Sequence, residues 1–356
     1  MRTPLSSLLF ITVILVSNVF ASASLSITNS GVVSGPLLGK WFDYVVVIMM
    51  ENHSINLTYY KGVGTNTCLG NCTYFSSLAN SNGLAKEYTD DSIQAGSLGD
   101  YVAITSGYGT LDSGCNSSPP GSSGCPFLQI PNIIDRLESA GLSWKAYMEG
   151  YPVSSGCYNN DMDFPNYYHF SHDPFTSYAD IQNSTSRCSH IVNANSKNPQ
   201  PKTPLPRCWP IAVDNDDLFL KDLNSVVDAS NYMFLTPDTI DDNHDCNDVS
   251  VGNAWLNQLV PQILQSTLFT SRKAALFITF DEDGCTFSGC PSAGPELYTV
   301  WASNPTNPTT VAGLKSIQHY THYSSLRTIE DNWNLPPLIA STDGSASNMH
   351  EFLIPR

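Results

Sequence analysis

Short apolar runs, three of them followed by carboxylates, constrain this chain more than any other feature of it. The runs Tyr44 to Met50, Tyr232 to Leu235, Ala274 to Phe280 and Tyr298 to Ala302 are β-branched or aromatic in character and nearly unbroken in hydrophobicity. Such runs are expected of strands covered on both faces. Helical patterns lie between them. Ile133, Ile134, Leu137 and Ala140 form one apolar face, closed by Gly141; Trp255, Leu256, Leu259 and Ile263 form a second, and Leu326, Ile329 and Trp333 a third. Strands that alternate with helices predict an α/β fold, a central and largely parallel sheet sandwiched by helices. No internal repeat or low-complexity linker divides the chain. The irregular stretch from Asn193 to Pro210 reads as a surface excursion within one catalytic domain.

In sheets of this kind ligands gather beyond the carboxyl ends of the strands. Glu51 and Asn52 follow the first run, Asp238 to Asp245 the second, and Asp281 to Asp283 the third. Acidic residues stacked along one sheet edge repel each other unless a cation lies among them. A metal site is therefore expected there.

The chain begins with Arg2, an apolar stretch from Leu8 to Val16, and small residues around Ala21 and Ala23. That is the pattern of a secretory signal peptide, expected over 1–23, which leaves a secreted catalytic domain over 24–356 with no transmembrane segment. Ten cysteines agree with an oxidising destination and favour disulfides. Cys68 with Cys72, and Cys285 with Cys290, are close enough to staple local loops. Asn56, Asn71, Asn116 and Asn183 begin glycosylation sequons. Loss of Arg2 takes the formal charge from −16 to about −17, a balance that argues against nucleic-acid binding. An anionic substrate would need positive potential supplied locally, by a metal or by protonated histidines.

Several segments carry a resemblance. They are DYVVVIMMENHSIN (Asp43 to Asn56), SWKAYMEG (Ser143 to Gly150), His172-Asp173-Pro174-Phe175, ITFDEDG (Ile278 to Gly284) and HYSSLRTIED (His322 to Asp331). In this order they resemble the motifs of the phosphoesterase family of acid phosphatases and phosphatidylcholine-type phospholipases C, within the alkaline-phosphatase-like superfamily. Gly96-Ser97-Leu98-Gly99-Asp100-Tyr101, ahead of Thr105-Ser106-Gly107, is similar to the family's Pro-Ser-Leu-Pro-Asn-Tyr segment.

The resemblance implies that Ser97 is a metal-bound nucleophile at a helix N-terminus. Coordination lowers the pKa of a serine hydroxyl, and the helix terminus offers N–H donors to phosphate oxygens. It places Glu51, Asn52, Ser97, Asp281 and Glu282 around one divalent ion, with Mg, Ca, Mn, Fe or Zn compatible with such ligands. Asp241, His244 and His322 form a second constellation around a second ion, with Asp238, Asp242 or Asp245 as substitutes for Asp241. In single-metal relatives the histidines contact the phosphate instead, so the count is one or two ions. His244 and His322 are the catalytic histidines, and His172 and Asp100 the substrate contacts. Asp100 stands where the family has Asn, and Gly96 and Gly99 where it has Pro.

His53, His169, His190, His319 and His350 are read as structural or surface residues. Arg327 is expected in a structural ion pair, and Trp144 and Tyr147 in the core or pocket wall. The expected activity is that of a secreted, metal-dependent acid phosphatase that hydrolyses small phosphomonoesters through a phosphoserine intermediate. Two alternatives remain: a phospholipase C or other phosphodiesterase, with a phospholipid substrate, and an inactive binding protein on the same scaffold.

Overall fold

The run at residues 44–50 forms strand β1 (Tyr44–Met50), with every residue after Tyr44 buried. Its apolar character suits its place inside an eight-stranded sheet. The other strands are β2 (Gly83–Thr89), β3 (Trp144–Met148), β4 (Ile191–Asn193), β5 (Tyr232–Thr236), β6 (Ala274–Phe280), β7 (Thr299–Ala302) and β8 (Lys315–Thr321), in the spatial order β4-β3-β5-β1-β6-β7-β2-β8. β1 pairs in parallel with β5 (Val45 opposite Tyr232) and with β6 (Met50 opposite Phe280). β7 alone among them runs against its neighbours β6 and β2. The computed structural model describes residues 37–60, 72–91, 96–152, 156–163, 165–196, 215–245, 249–283 and 295–356, which fall in one unit.

The principal helices flanking the sheet are α1 (Thr73–Ser81), α2 (Gly96–Ser106), α3 (Ile133–Ser139), α4 (Ser250–Gln265) and α5 (His322–Asn332). α2 packs on α5, and α1 on α4. The three faces foreseen in the sequence correspond to α3, α4 and α5. α3 is closed at its start by an Asn132–Asp135 capping box and followed by Gly141 at φ +73°. The core joins Phe42 to Trp301 and Trp333 through ring contacts, with Trp144 and Trp255 buried beside it.

Strands β2, β3, β4 and β8 are not distinguished by the runs. β8 at the sheet edge buries two of its seven residues, and β4 has three residues in all. Disulfides join Cys115 to Cys125 and Cys157 to Cys188, and Cys72 is disulfide-bonded too. Cys68, Cys208, Cys246, Cys285, Cys290 and the residues 1–23 expected to form a signal peptide lie outside the described residues. Arg327 pairs with Asp331 at 2.8 Å, and Trp144 and Tyr147 are buried. Among the described residues no helix is long and apolar enough to cross a membrane.

The chain turns sharply after β3 at Gly150, φ +70°, where a Cβ would stand 2.0 Å from the Asn166 carbonyl. Gly150→Ala is expected to cost about 2 kcal/mol or more, combining left-handed strain with a backbone clash. Gly141→Ala, at φ +73° with nothing within 4 Å, should cost the conformational part alone, about 1–2 kcal/mol. Urea denaturation midpoints of the two variants check the ranking.

Candidate active site

Four neighbouring parallel strands end along one edge, and each delivers a carboxylate. Glu149 follows β3, Asp238 to Asp242 follow β5, Glu51 follows β1 and Asp281 follows β6. The backbone fixes this row. Asp281 N donates to Met50 O at 3.0 Å, and Glu51 N donates to Asp242 O at 2.9 Å, so the ladder continues past the strands. Asn52 follows in the left-handed region at φ +59°, a conformation Asn tolerates better than most residues. Its N–H donates to Asp281 Oδ1 at 2.8 Å.

Ser97 lies in the first turn of α2, where backbone N–H groups have no partner within the helix. Its Oγ donates to Glu51 Oε2 at 3.0 Å, and Asn52 Nδ2 donates to the same oxygen at 2.9 Å. Glu51 Oε1 and Asp281 Oδ2 are buried without a hydrogen-bond partner. Buried carboxylate oxygens in that state are costly. With the Ser97 hydroxyl and the Asn52 amide they make an oxygen-rich donor set that fits a divalent cation. Glu282 falls on the flank, grouped with Asp90 and Asp100 so that one oxygen of each lies within 4.8 Å of the others.

The histidines separate. His172 is buried and stacked on Tyr101, with ring centroids 5.6 Å apart. Its Nδ1 lies 3.0 Å from Asp242 Oδ2 and its Nε2 3.2 Å from Glu51 Oε1. His244, whose side chain is 32% exposed, faces Asp245 Oδ1 through Nδ1 at 3.1 Å. Its ring centroid is 4.9 Å from that of His172. His322 opens α5, fully buried. Its Nε2 is 2.6 Å from the Asp281 carbonyl, its Nδ1 3.0 Å from Tyr88 OH, and Asp100 Oδ1 is 3.8 Å away.

The residues foreseen for a second ion fall into different groups, with His244 beside Asp245, one of the substitutes for Asp241. His244 joins Glu51 and His172, His322 joins Asp281 and Tyr88, and Asp241 groups with Glu149 and Asp238. The acid that reaches His172 is Asp242. Tyr101, Tyr88 and Asp90 did not stand out in the sequence. Asp90 follows β2 immediately, the same signal that marked Glu51 and Asp281, but β2 itself had not been distinguished. His169, read as structural, stands 4.9 Å from His172 between ring centroids.

Crowding sets the electrostatics. Burial first, then the Asp281 and Asp242 charges, push the Glu51 carboxyl well above its ordinary value. Burial raises Asp242 and Asp281 as well, against hydrogen bonds that lower them. Glu282 is pushed up to about 8 by burial and then by Asp281 and Asp90, and Asp90 to about 6 by burial and then by Asp283 and Asp281. Burial lowers His172 well below its usual range and His322 to about 4.

Comparison with known proteins finds relatives in sequence and in fold. A family model described as "Phosphoesterase family" matches residues 70–336. An acid phosphatase of Aspergillus fumigatus is 27% identical over 219 residues, 60% of this chain and 42% of that protein; the chain spans under half the length of that relative. Among solved structures, a protein in the alkaline phosphatase superfamily from Vibrio parahaemolyticus superposes with a TM-score of 0.54 at 11% identity, covering 88% of this chain and 72% of its own. The lipoteichoic acid synthase LtaP from Listeria monocytogenes does so at 0.53 and 8% identity, covering 87% and 76%. These two likenesses establish the fold, alkaline-phosphatase-like.

Carboxyls raised by folding hold protons that the unfolded chain has released, so their contribution to stability is lost as pH rises through the folded value. The lowered histidines act oppositely, but that effect ends above about pH 6.5, where the unfolded imidazole is neutral. The metal-free chain is therefore expected to lose thermal stability from about pH 6.5 to 8.5, through Glu282 at about 8 among others. A saturating divalent cation should raise Tm more at pH 8.5 than at pH 5. A shift as large at pH 5 would contradict the reading of this row as a cation site.

Proposed function

The chain belongs to the Phosphoesterase family, and on that premise we propose that it is a metal-dependent acid phosphatase acting on small phosphomonoesters, with Ser97 as nucleophile. The observation that carries the reading is Ser97 Oγ on Glu51 Oε2 at 3.0 Å, beside two partnerless buried carboxylate oxygens and within a helix first turn. Glu51, Asn52, Ser97 and Asp281 would hold the cation, with Glu282 at the flank. Bound there, a divalent ion lowers the hydroxyl pKa and offsets phosphoryl charge.

The chain's own groups do the rest. The first-turn N–H groups of α2 receive the phosphoryl oxygens, with Asp100 and His172 as further contacts. Ser97 Oγ bonds to phosphorus as the ester P–O bond breaks; its hydroxyl proton passes to Glu51 Oε2, to which it already donates, and the departing alkoxide takes a proton from water on the side of His172 and His244. Water then cleaves the Ser97–phosphorus bond, returns the proton to Oγ and releases phosphate. His322, held between the Asp281 carbonyl and Tyr88, is assigned a positioning role. The leaving alcohol is accommodated by a cavity of about 490 Å³ lined by Tyr167, Tyr168, His169 and His244 among others. The N-terminal signal pattern and the disulfides support export, in which case protein recovered from the medium begins near Ser24.

Ser97→Ala is expected to lower turnover of an aryl phosphate monoester at acidic pH by about a thousandfold or more. Acid quenching of the wild type during turnover should leave phosphate on the peptide that carries Ser97. Full activity in Ser97→Ala would sink the mechanism. Cleavage of the matching diester alone would move the substrate to the phosphodiesterase class.

A further inference from the structure

Away from the acidic row at the strand ends, Glu330 of α5 and Asp343 form a second meeting of fully buried carboxyls. One N–H joins them: Leu338 N donates to Glu330 Oε1 at 3.0 Å and to Asp343 Oδ2 at 2.8 Å. The remaining donors are unequally shared. Asp343 Oδ1 also accepts the Ile339 N–H at 3.0 Å and the Thr342 hydroxyl at 3.2 Å, whereas Glu330 Oε2 is buried without a hydrogen-bond partner. Two ionised carboxylates held together away from water repel strongly, so one of such a pair keeps its proton. The charge falls to Asp343, which has the donors, and the proton to Glu330.

We propose that protonated Glu330 and ionised Asp343 form a pH-sensitive latch, which holds the segment 337–346 between α5 and the end of α2 and releases it as the proton leaves.

The segment touches three helices. Thr342 Oγ1 donates at 2.7 Å to the carbonyl of Gly107, just past the end of α2, and Gly107 packs so closely on Asp343 that no Cβ would fit there. Arg136 of α3 donates through Nη2 to the Pro337 carbonyl at 3.1 Å. The charged and titratable groups nearby do not replace the proton. Arg327, one turn earlier on α5, has Nη1 3.9 Å from Glu330 Oε2 but gives Nη2 to Asp331 at 2.8 Å. Arg136 is committed to its carbonyl, and Tyr323 stays a neutral phenol, pushed up to about 12 by burial first.

Burial, and then the Asp343 charge, push Glu330 up to about 9. Once the segment opens, Glu330 titrates near the ordinary value of about 4.3. Between those two values the closed latch holds a proton that the open one has released. The opening constant therefore rises about tenfold per pH unit across that window and levels off above it. Closure is firmest in acid. Ser97 stands at the other end of the helix that the segment grips, so alkaline release loosens the support of the proposed nucleophile. That consequence rests on the acid-phosphatase reading, but the latch itself does not.

The test is hydrogen exchange of the full chain at pH 5.5, 7 and 8.5, read on peptides covering 336–346 as protection relative to the unstructured rate. The wild type is expected to lose about a thousandfold in protection from the lowest pH to the highest. Glu330→Gln copies the protonated carboxyl and does not ionise, so its protection there should stay within about threefold while its far-UV circular dichroism is kept. Flat protection in the wild type, or a slope that survives in folded Glu330→Gln, overturns the proposal. If Glu330→Gln fails to fold, the wild-type profile decides, and a loss of less than about tenfold overturns it. Aryl phosphate turnover of the same samples separates the two readings. A chain that shows the slope and hydrolyses no phosphate ester keeps the latch and removes the acid-phosphatase reading; an active chain without the slope does the reverse.

Discussion

The parallel ladder that joins β5, β1 and β6 forces like charges together, and much else in the molecule answers to that. The positions of Glu51 and Asp281 are set by main-chain hydrogen bonds to Asp242 and Met50, not by any attraction between the side chains. Burial makes their mutual repulsion expensive. The fold meets the cost with donors of several kinds: the Ser97 hydroxyl, the Asn52 side chain and backbone N–H, and the His244 N–H on Asp242 at 2.6 Å. Two carboxylate oxygens still face no donor. In a chain with twice as many acidic as basic residues, no abundance of lysine stands ready to neutralise them. Protonation of the raised carboxyls relieves part of that cost, and the cation proposed above would relieve the rest.

Glu51, Asn52 and Asp281 were legible because each follows an apolar run, and a buried parallel strand writes its own end into the sequence. The loop after β5 was not legible at the same level. It carries Asp238, Asp241, Asp242 and Asp245 within eight positions, and periodicity does not separate them. A turn does. Asp238 Oδ1 accepts the N–H groups of Ile240 and Asp241 at 3.0 Å, while Asp238 N donates to Glu149. This leaves Asp238 and Asp241 beside Glu149 and directs Asp242 to His172. His322 was singled out through the family resemblance, as one of a constellation with Asp241 and His244. What holds it is Tyr88, from a strand whose mixed sequence GLAKEYT gives little sign of being one.

The glycine before Ser97 shows how a departure from a motif acquires a physical reason. Gly96 has φ +54°, which the proline that the motif resemblance implies there does not reach, since its ring holds φ near −65°. The entry to α2 therefore takes a different path from the one a proline would impose, and Ser97 still arrives on Glu51. Asp100, one turn further on, is fully buried and lies 3.8 Å from His322. Both departures sit within the helix that carries Ser97, the proposed nucleophile, so they bear on the same wall of the site.

The central place of β1 also decides when the site comes into being. The hydrogen bond from Asn52 to Asp281 closes a separation of 229 residues, and the contact between His172 and Asp242 one of 70. During synthesis the amino-terminal half of this acidic row emerges long before its partners. Contacts of such span fold slowly, so a nascent chain carries Glu51 and Ser97 without the β6 carboxylate that completes their surroundings. The proposed site is incomplete in this architecture until Asp281 has been made, and a polypeptide exported unfolded, as proposed, would acquire any ions on the far side. The metal supply of the destination, and not that of the cytosol, would then determine which ions the mature protein holds.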